Sequence, residues 1–79
     1  MTVAENVRRR RLALGLKQSD LAQRMRHLGH RWSDGVVGFI ERSDRKIMVD
    51  ELLGLAIALE CSIRDLLGPA CPDRVWSML

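Results

Sequence analysis

Apolar side chains recur three and four residues apart along nearly the whole chain, and no stretch alternates apolar and polar residues as a half-buried strand would. That periodicity, cut at intervals by helix-stopping glycines, predicts an all-α fold of five helices. The first spans Val3 to Leu14, with Thr2 as N-cap and Glu5 completing a capping-box spacing, and Gly15 as its stop. The second runs from Gln18 to His27, carries Leu21, Ala22 and Met25 on one face, and ends at Gly29. A third is expected over Asp34 to Arg42. Ser33 caps it, Asp34 complements its dipole, and Val36, Val37 and Ile40 point inward. The fourth, Val49 to Leu59, holds Leu52, Leu53, Leu55, Ala56 and Leu59, a stripe wide enough to predict the central helix. Ser62 caps a short fifth helix, Ile63 to Leu67, stopped by Gly68 and Pro69.

Size narrows the function classes. At 79 residues the chain makes one domain, too small to enclose a ligand as most enzymes do, and its 4% aromatic content suits helices better than sheets. Residues 1–69 form the expected domain; residues 70–79 form a tail whose Val75, Trp76, Met78 and Leu79 are too apolar for a solvated end. No apolar run approaches the roughly 20 residues of a membrane span, and the start, MTVAENVRRRR, lacks the apolar stretch of a signal peptide. A cytoplasmic protein with no membrane partner is the expectation, with Cys61 and Cys71 as free thiols and Cys61 as a small core residue. His27 and His30 fit no metal-ligand spacing with the cysteines, so no metal or other cofactor is expected. Nor is there a nucleophile beside a histidine and an acid, a phosphate-cradling glycine loop, or a plausible carboxylate pair. An enzyme is not expected.

Charge is distributed unevenly. Residues 1–47 hold eleven basic and five acidic side chains, a balance of +6, whereas residues 48–79 hold two and five, a balance of −3. A basic front of this kind would turn toward a polyanion, nucleic acid being the usual one, although solvated helix faces alone would also carry such charge.

Three segments carry a resemblance. LALGLKQSDLAQRM at 12–25, WSDGVVGFIER at 32–42 and VDELLGLAIALECSIRDLL at 49–67 resemble the Cro/repressor, or XRE, family of helix-turn-helix DNA-binding proteins. The likeness covers about residues 5–68, and the string RW, VVG, ER and DR is similar to that of a branch of actinomycete developmental repressors. The resemblance implies a five-helix lambda-repressor-like domain in which the third helix enters the major groove of double-stranded DNA while the second braces across the phosphates. It implies that Asp34, Gly35, Gly38, Phe39 and Arg42 are the outward positions facing base edges. Aspartate can accept from cytosine N4 and phenylalanine can touch a thymine methyl, whereas glycines reach nothing. Gln18 matches the family's glutamine that contacts DNA at the start of the second helix, and Lys17 adds a phosphate contact. Ser33 both caps and donates to a phosphate, while Arg42, Arg45 and Lys46 grip the backbone beyond the third helix; for Arg45 and Lys46 an ordinary solvated loop is the alternative.

Glu41 matches the family's glutamate that pairs with an arginine of the first helix, and Arg11 stands in that place, so the two form a structural ion pair. The remaining arginines of the 8–11 run are then solvated or graze DNA. Trp32 is read as a packing residue that sets the turn. The turn RHLGHRW is about five residues longer than in compact members of the family, and its Arg26, His27, His30 and Arg31 reach a further phosphate or extend the second helix. With two glycines on the reading helix, specificity draws on DNA shape, on Arg31 or Gln18, or on a paired protomer.

The expected activity is that of a sequence-specific transcriptional regulator, a repressor acting by operator occupancy as a homodimer joined through the tail and the fifth helix. No small-molecule effector is evident. A protein-interaction adaptor or antitoxin-like protein with weak base readout is the alternative.

Overall fold

The structure is a computed structural model that describes residues 2–68. The stop at Pro69 and the apolar tail, with Cys71, Val75, Trp76, Met78 and Leu79, lie outside those residues. Five helices follow in order: α1 (Val3–Ala13), α2 (Gln18–His27), α3 (Val36–Glu41), α4 (Val49–Ala58) and α5 (Ile63–Leu67). The described residues contain no strand.

Three of the five helices, α2, α4 and α5, begin by the same local chemistry. Their first N–H groups have no partner within the helix, so an acid three residues after the cap is placed where a donor and the positive end of the helix dipole meet it. Lys17 N–H donates to Asp20 at 2.8 Å, Met48 N–H to Glu51 at 3.0 Å, and Ser62 N–H to Asp65 at 3.1 Å. In α1 the bond runs the other way, from Glu5 N–H to Thr2 Oγ1 at 3.2 Å. The third helix is the exception and corrects the sequence expectation. It starts at Val36, with Gly35 as an N-cap lacking a side-chain bond. Ser33 contributes only its carbonyl, which accepts from Val36 N–H at 3.1 Å. Asp34 therefore precedes the helix instead of sitting in its first turn.

The first four helices also stop in one way. In each, the residue after the C-cap takes a left-handed conformation and two reversed hydrogen bonds close the end, a Schellman motif. For α2 these run from Gly29 N–H to Arg26 O and from His30 N–H to Met25 O. The left-handed position is Gly15 or Gly29 in α1 and α2, but Ser43 (φ 60°) in α3 and Glu60 (φ 56°) in α4.

Packing closes the helices into a ring. α1 lies against α3 and α5, α2 against α3 and α4, and α4 against α5. No helix is central, contrary to the expectation for α4. Only Leu55, Ala56 and Leu59 of its stripe are buried; Leu53 is exposed and joins Val49 and Ile57 in an outer apolar row. The core is filled by Val7, Leu21, Met25, Val37, Ile40, Leu55, Leu59 and Leu66, with Trp32 inserted from the α2–α3 turn. Gly54 lets α4 approach that turn: a Cβ there would fall 2.7 Å from His30 Nε2 and 2.9 Å from Met25 Cε.

Arginines tie the frame from outside. Arg10 donates to Leu59 O at 2.9 Å and Glu60 O at 3.0 Å, and Arg24 to Ala58 O at 2.8 Å, so cations sit at the carbonyl end of α4 where its dipole favours them. Arg10 was expected to be solvated or near DNA, and is instead a helix cap. Asn6, buried in α1, holds α5 through a 2.7 Å bond to Leu66 O and accepts from Arg9 at 2.9 Å.

Candidate nucleic-acid interface

Two helices meeting across a turn set the site, and a buried ion pair fixes the angle at which the neighbouring helix supports them. Arg11 Nε and Nη2 donate to Glu41 Oε2 and Oε1 at 2.7 and 3.0 Å, and Nη1 donates to Leu16 O at 2.8 Å. Both side chains are more than nine-tenths buried. A forked guanidinium on a carboxylate, desolvated on both sides, holds α1 and the end of α3 in one register.

Glu41 also reaches outward. Its Oε1 accepts from Gln18 Nε2 at 3.2 Å, so the exposed glutamine at the start of α2 is oriented by the same carboxylate that anchors α3. Gln18 then lies across Gly38: its amide atoms are 3.5 and 3.7 Å from the place where a Cβ would stand, and Arg42 Nη1 is 3.2 Å from it. Gly38 was expected to face outward. It is buried beneath Gln18 and Arg42, and the surface over the helix belongs to those two side chains.

Phe39 and Arg42 stand beside them. The phenylalanine is 49% exposed, and the guanidinium carbon of Arg42 lies 5.1 Å from its ring centroid. Arg42 Nε also donates to Asp44 at 3.2 Å. At the other end of the helix Gly35 is exposed, and Asp34 pairs with Arg26 at 3.2 Å. Arg26 further donates to Trp32 O at 2.8 Å, so this arginine of the turn is drawn toward the protein and part of its charge is offset. Lys17, Arg31, Ser33 and Lys46 are exposed.

Arg45 occupies a different position from the one expected of a phosphate-gripping loop residue. Its Nη2 and Nη1 donate to the two oxygens of Glu51 at 2.6 and 3.0 Å, and its guanidinium stacks 5.8 Å from the Trp32 ring. Trp32 Nε1 donates to Glu51 Oε2 at 2.9 Å. Glu51 is thus a buried carboxylate taking donors from the turn, from the loop and from its own helix start. Arg45, chiefly through its hydrogen bonds, pulls the carboxyl pKa down to about 2. The same contact pushes the Arg45 pKa above its usual value. Sequence reasoning missed Glu51. The available signals were its place three residues after Met48 and the need of a buried indole N–H for an acceptor.

The arrangement has no converging nucleophile and base; it offers cations, an amide and an aromatic ring on one surface. No helix among the described residues is long and apolar enough to cross a membrane. A family model described as helix-turn-helix matches residues 7–66, from the middle of α1 into α5. No curated protein matches the chain.

Proposed function

The chain belongs to the helix-turn-helix family, a family of DNA-binding regulatory domains, and from that premise we propose that it is a sequence-specific transcriptional regulator that represses by occupying an operator as a homodimer. The observation that carries the reading is the cluster of Gln18, Phe39 and Arg42 over Gly35 and Gly38, a surface of donors and one ring at the exposed face of α2 and α3. A major groove about 12 Å wide admits one such helix. Lys17, Arg31 and Lys46, exposed around it, supply phosphate contacts that position α3 without reading sequence. Arg45 acts indirectly, by fastening the loop that carries Lys46 to α4. Its cytoplasmic location and the likeness to actinomycete developmental repressors belong to the same proposal, the latter resting on RW, VVG, ER and DR alone.

A protein-interaction adaptor is the second reading, favoured by the exposed row Val49, Leu53 and Ile57 on α4. Binding of labelled duplex measured against salt separates the two. The regulator binds with a log–log slope of about −0.9 per phosphate neutralised, and affinity weaker than about 10⁻⁴ M for every duplex at low salt would refute it. Sedimentation of the whole chain tests the homodimer, which a purely monomeric profile at high protein concentration would exclude.

A further inference from the structure

Phe39 is the feature of the interface that phosphate binding leaves unexplained, because a half-exposed phenylalanine has nothing to offer an anion. Its surroundings are specific. The ring lies against Gly35, with a ring carbon 3.9 Å from the place of the missing Cβ, and Arg42 stacks on it at 5.1 Å. The space beside Gly38 receives Arg42 Nη1. Asp44 takes Arg42 Nε, which leaves the terminal nitrogens as the donors that can reach a partner. Gly35 is exposed and carries no side chain beside the Phe39 ring, so at that end of the stacked pair the backbone can come closer to a groove floor than an ordinary side chain would allow; Gly38 is covered by Gln18 and Arg42.

We infer that Phe39 and Arg42 act as one reader of a thymine and a guanine on neighbouring base pairs, with Phe39 covering the thymine methyl and Arg42 donating to guanine O6 and N7. The inference rests on the DNA-binding reading above. Among the base edges of the major groove, only guanine offers two acceptors to a pair of guanidinium donors, and only thymine offers a methyl to an apolar ring. Adenine and cytosine each display an amino donor that would oppose Arg42. The ring and guanidinium lie 5.1 Å apart, more than one base-pair rise of about 3.4 Å and less than two, so the two groups are spaced to meet adjacent base pairs rather than the same one. Holding the planar fork against the ring also reduces the rotamer freedom lost on contact. Of the two roles the resemblance implies for Arg42, facing base edges and gripping the backbone, it takes the first.

The test uses the unaltered protein and a duplex chosen by selection from random sequence. Each thymine is replaced singly by deoxyuridine, which deletes only the methyl, and each guanine by 7-deazaguanine, which deletes only the N7 acceptor. The expected result is one thymine whose replacement weakens binding about fourfold, next to a guanine whose replacement weakens it about tenfold or more. Phe39→Ala, checked by circular dichroism for an intact fold, abolishes the first effect and keeps the second; Arg42→Ala does the reverse. Tight, sequence-selective binding that is indifferent to both analogues overturns this inference and leaves the regulator reading standing. Failure to bind any duplex overturns both.

Discussion

Replacing Glu51 by glutamine removes the charge that organises the Trp32–Arg45 cluster while keeping the side-chain shape. In the wild type the carboxylate accepts two bonds from Arg45, one from the Trp32 indole and one from Met48 N–H, and only 8% of its side chain is exposed. Its pKa is lowered from 4.5 to about 2, chiefly by the Arg45 hydrogen bonds. Because the folded value is depressed, the stabilisation is complete above the unfolded pKa and is lost as pH falls from about 4.5 toward 2. The full linkage corresponds to about 3 kcal/mol. Arg45 is 36% exposed, however, and solvent screening reduces the expected loss on Glu51→Gln to about 2 kcal/mol at pH 6. Urea unfolding followed by circular dichroism should show that deficit. At pH 3 the gap between wild type and variant should shrink to less than half, since the wild-type carboxyl is then losing its advantage. Comparing the two proteins at each pH removes the contribution of other carboxylates, including Asp65, whose pKa is lowered mainly by the Ser62 backbone. A gap under about 0.5 kcal/mol at pH 6, or one that stays constant down to pH 3, would refute the reasoning.

Breaking the Arg11–Glu41 pair by Arg11→Met should cost about 3–5 kcal/mol, because it strands a buried carboxylate; Arg11→Met with Glu41→Leu should recover most of that in thermal melts. Ser43→Gly should stabilise the domain by about 0.5–1 kcal/mol, raising Tm by a few degrees, since Ser43 pays for a left-handed φ of 60° that glycine adopts freely. Lys17→Ala and Lys46→Ala should each weaken binding to all duplexes alike and reduce the salt slope by about 0.9, measured by fluorescence anisotropy. Gly38→Ala should keep the fold, as the one tight obstruction is the flexible end of Arg42, yet alter duplex affinity by moving Arg42; unchanged affinity would show that Arg42 does not depend on that space.

Where the chemistry was local, it could be read from the sequence. The span of α2, the stops at Gly15 and Gly29, and the caps at Thr2 and Ser62 all follow from bonds closed within a few residues. Two stops were less visible, because Ser43 and Glu60 occupy left-handed positions that ordinarily announce themselves as glycine. The shortening of α3 was hidden for a related reason: Ser33 and Asp34 read as a cap and first turn, but Asp34 is engaged by Arg26 and Ser33 uses only its carbonyl. At the interface, the family resemblance placed Phe39 and Arg42 outward but misjudged Gly38, since a residue without a side chain is covered by whatever its neighbours drape across it. Arg45 was given to the phosphates because it is a cation placed just beyond the helix that the resemblance sets in the groove. Its actual partner, Glu51, is six residues away across a loop, and that contact depends on how α4 approaches Trp32.

The claim that the exposed face of α2 and α3 reads base sequence is tested most directly by the ratio of two affinities. A duplex selected from random sequence and a scrambled duplex of equal length and composition would be titrated at the same physiological salt. The account predicts a preference of at least about 10³ for the selected duplex, the lower range for specific over non-specific binding. Equal affinity for the two would contradict it, whatever the absolute strength of binding.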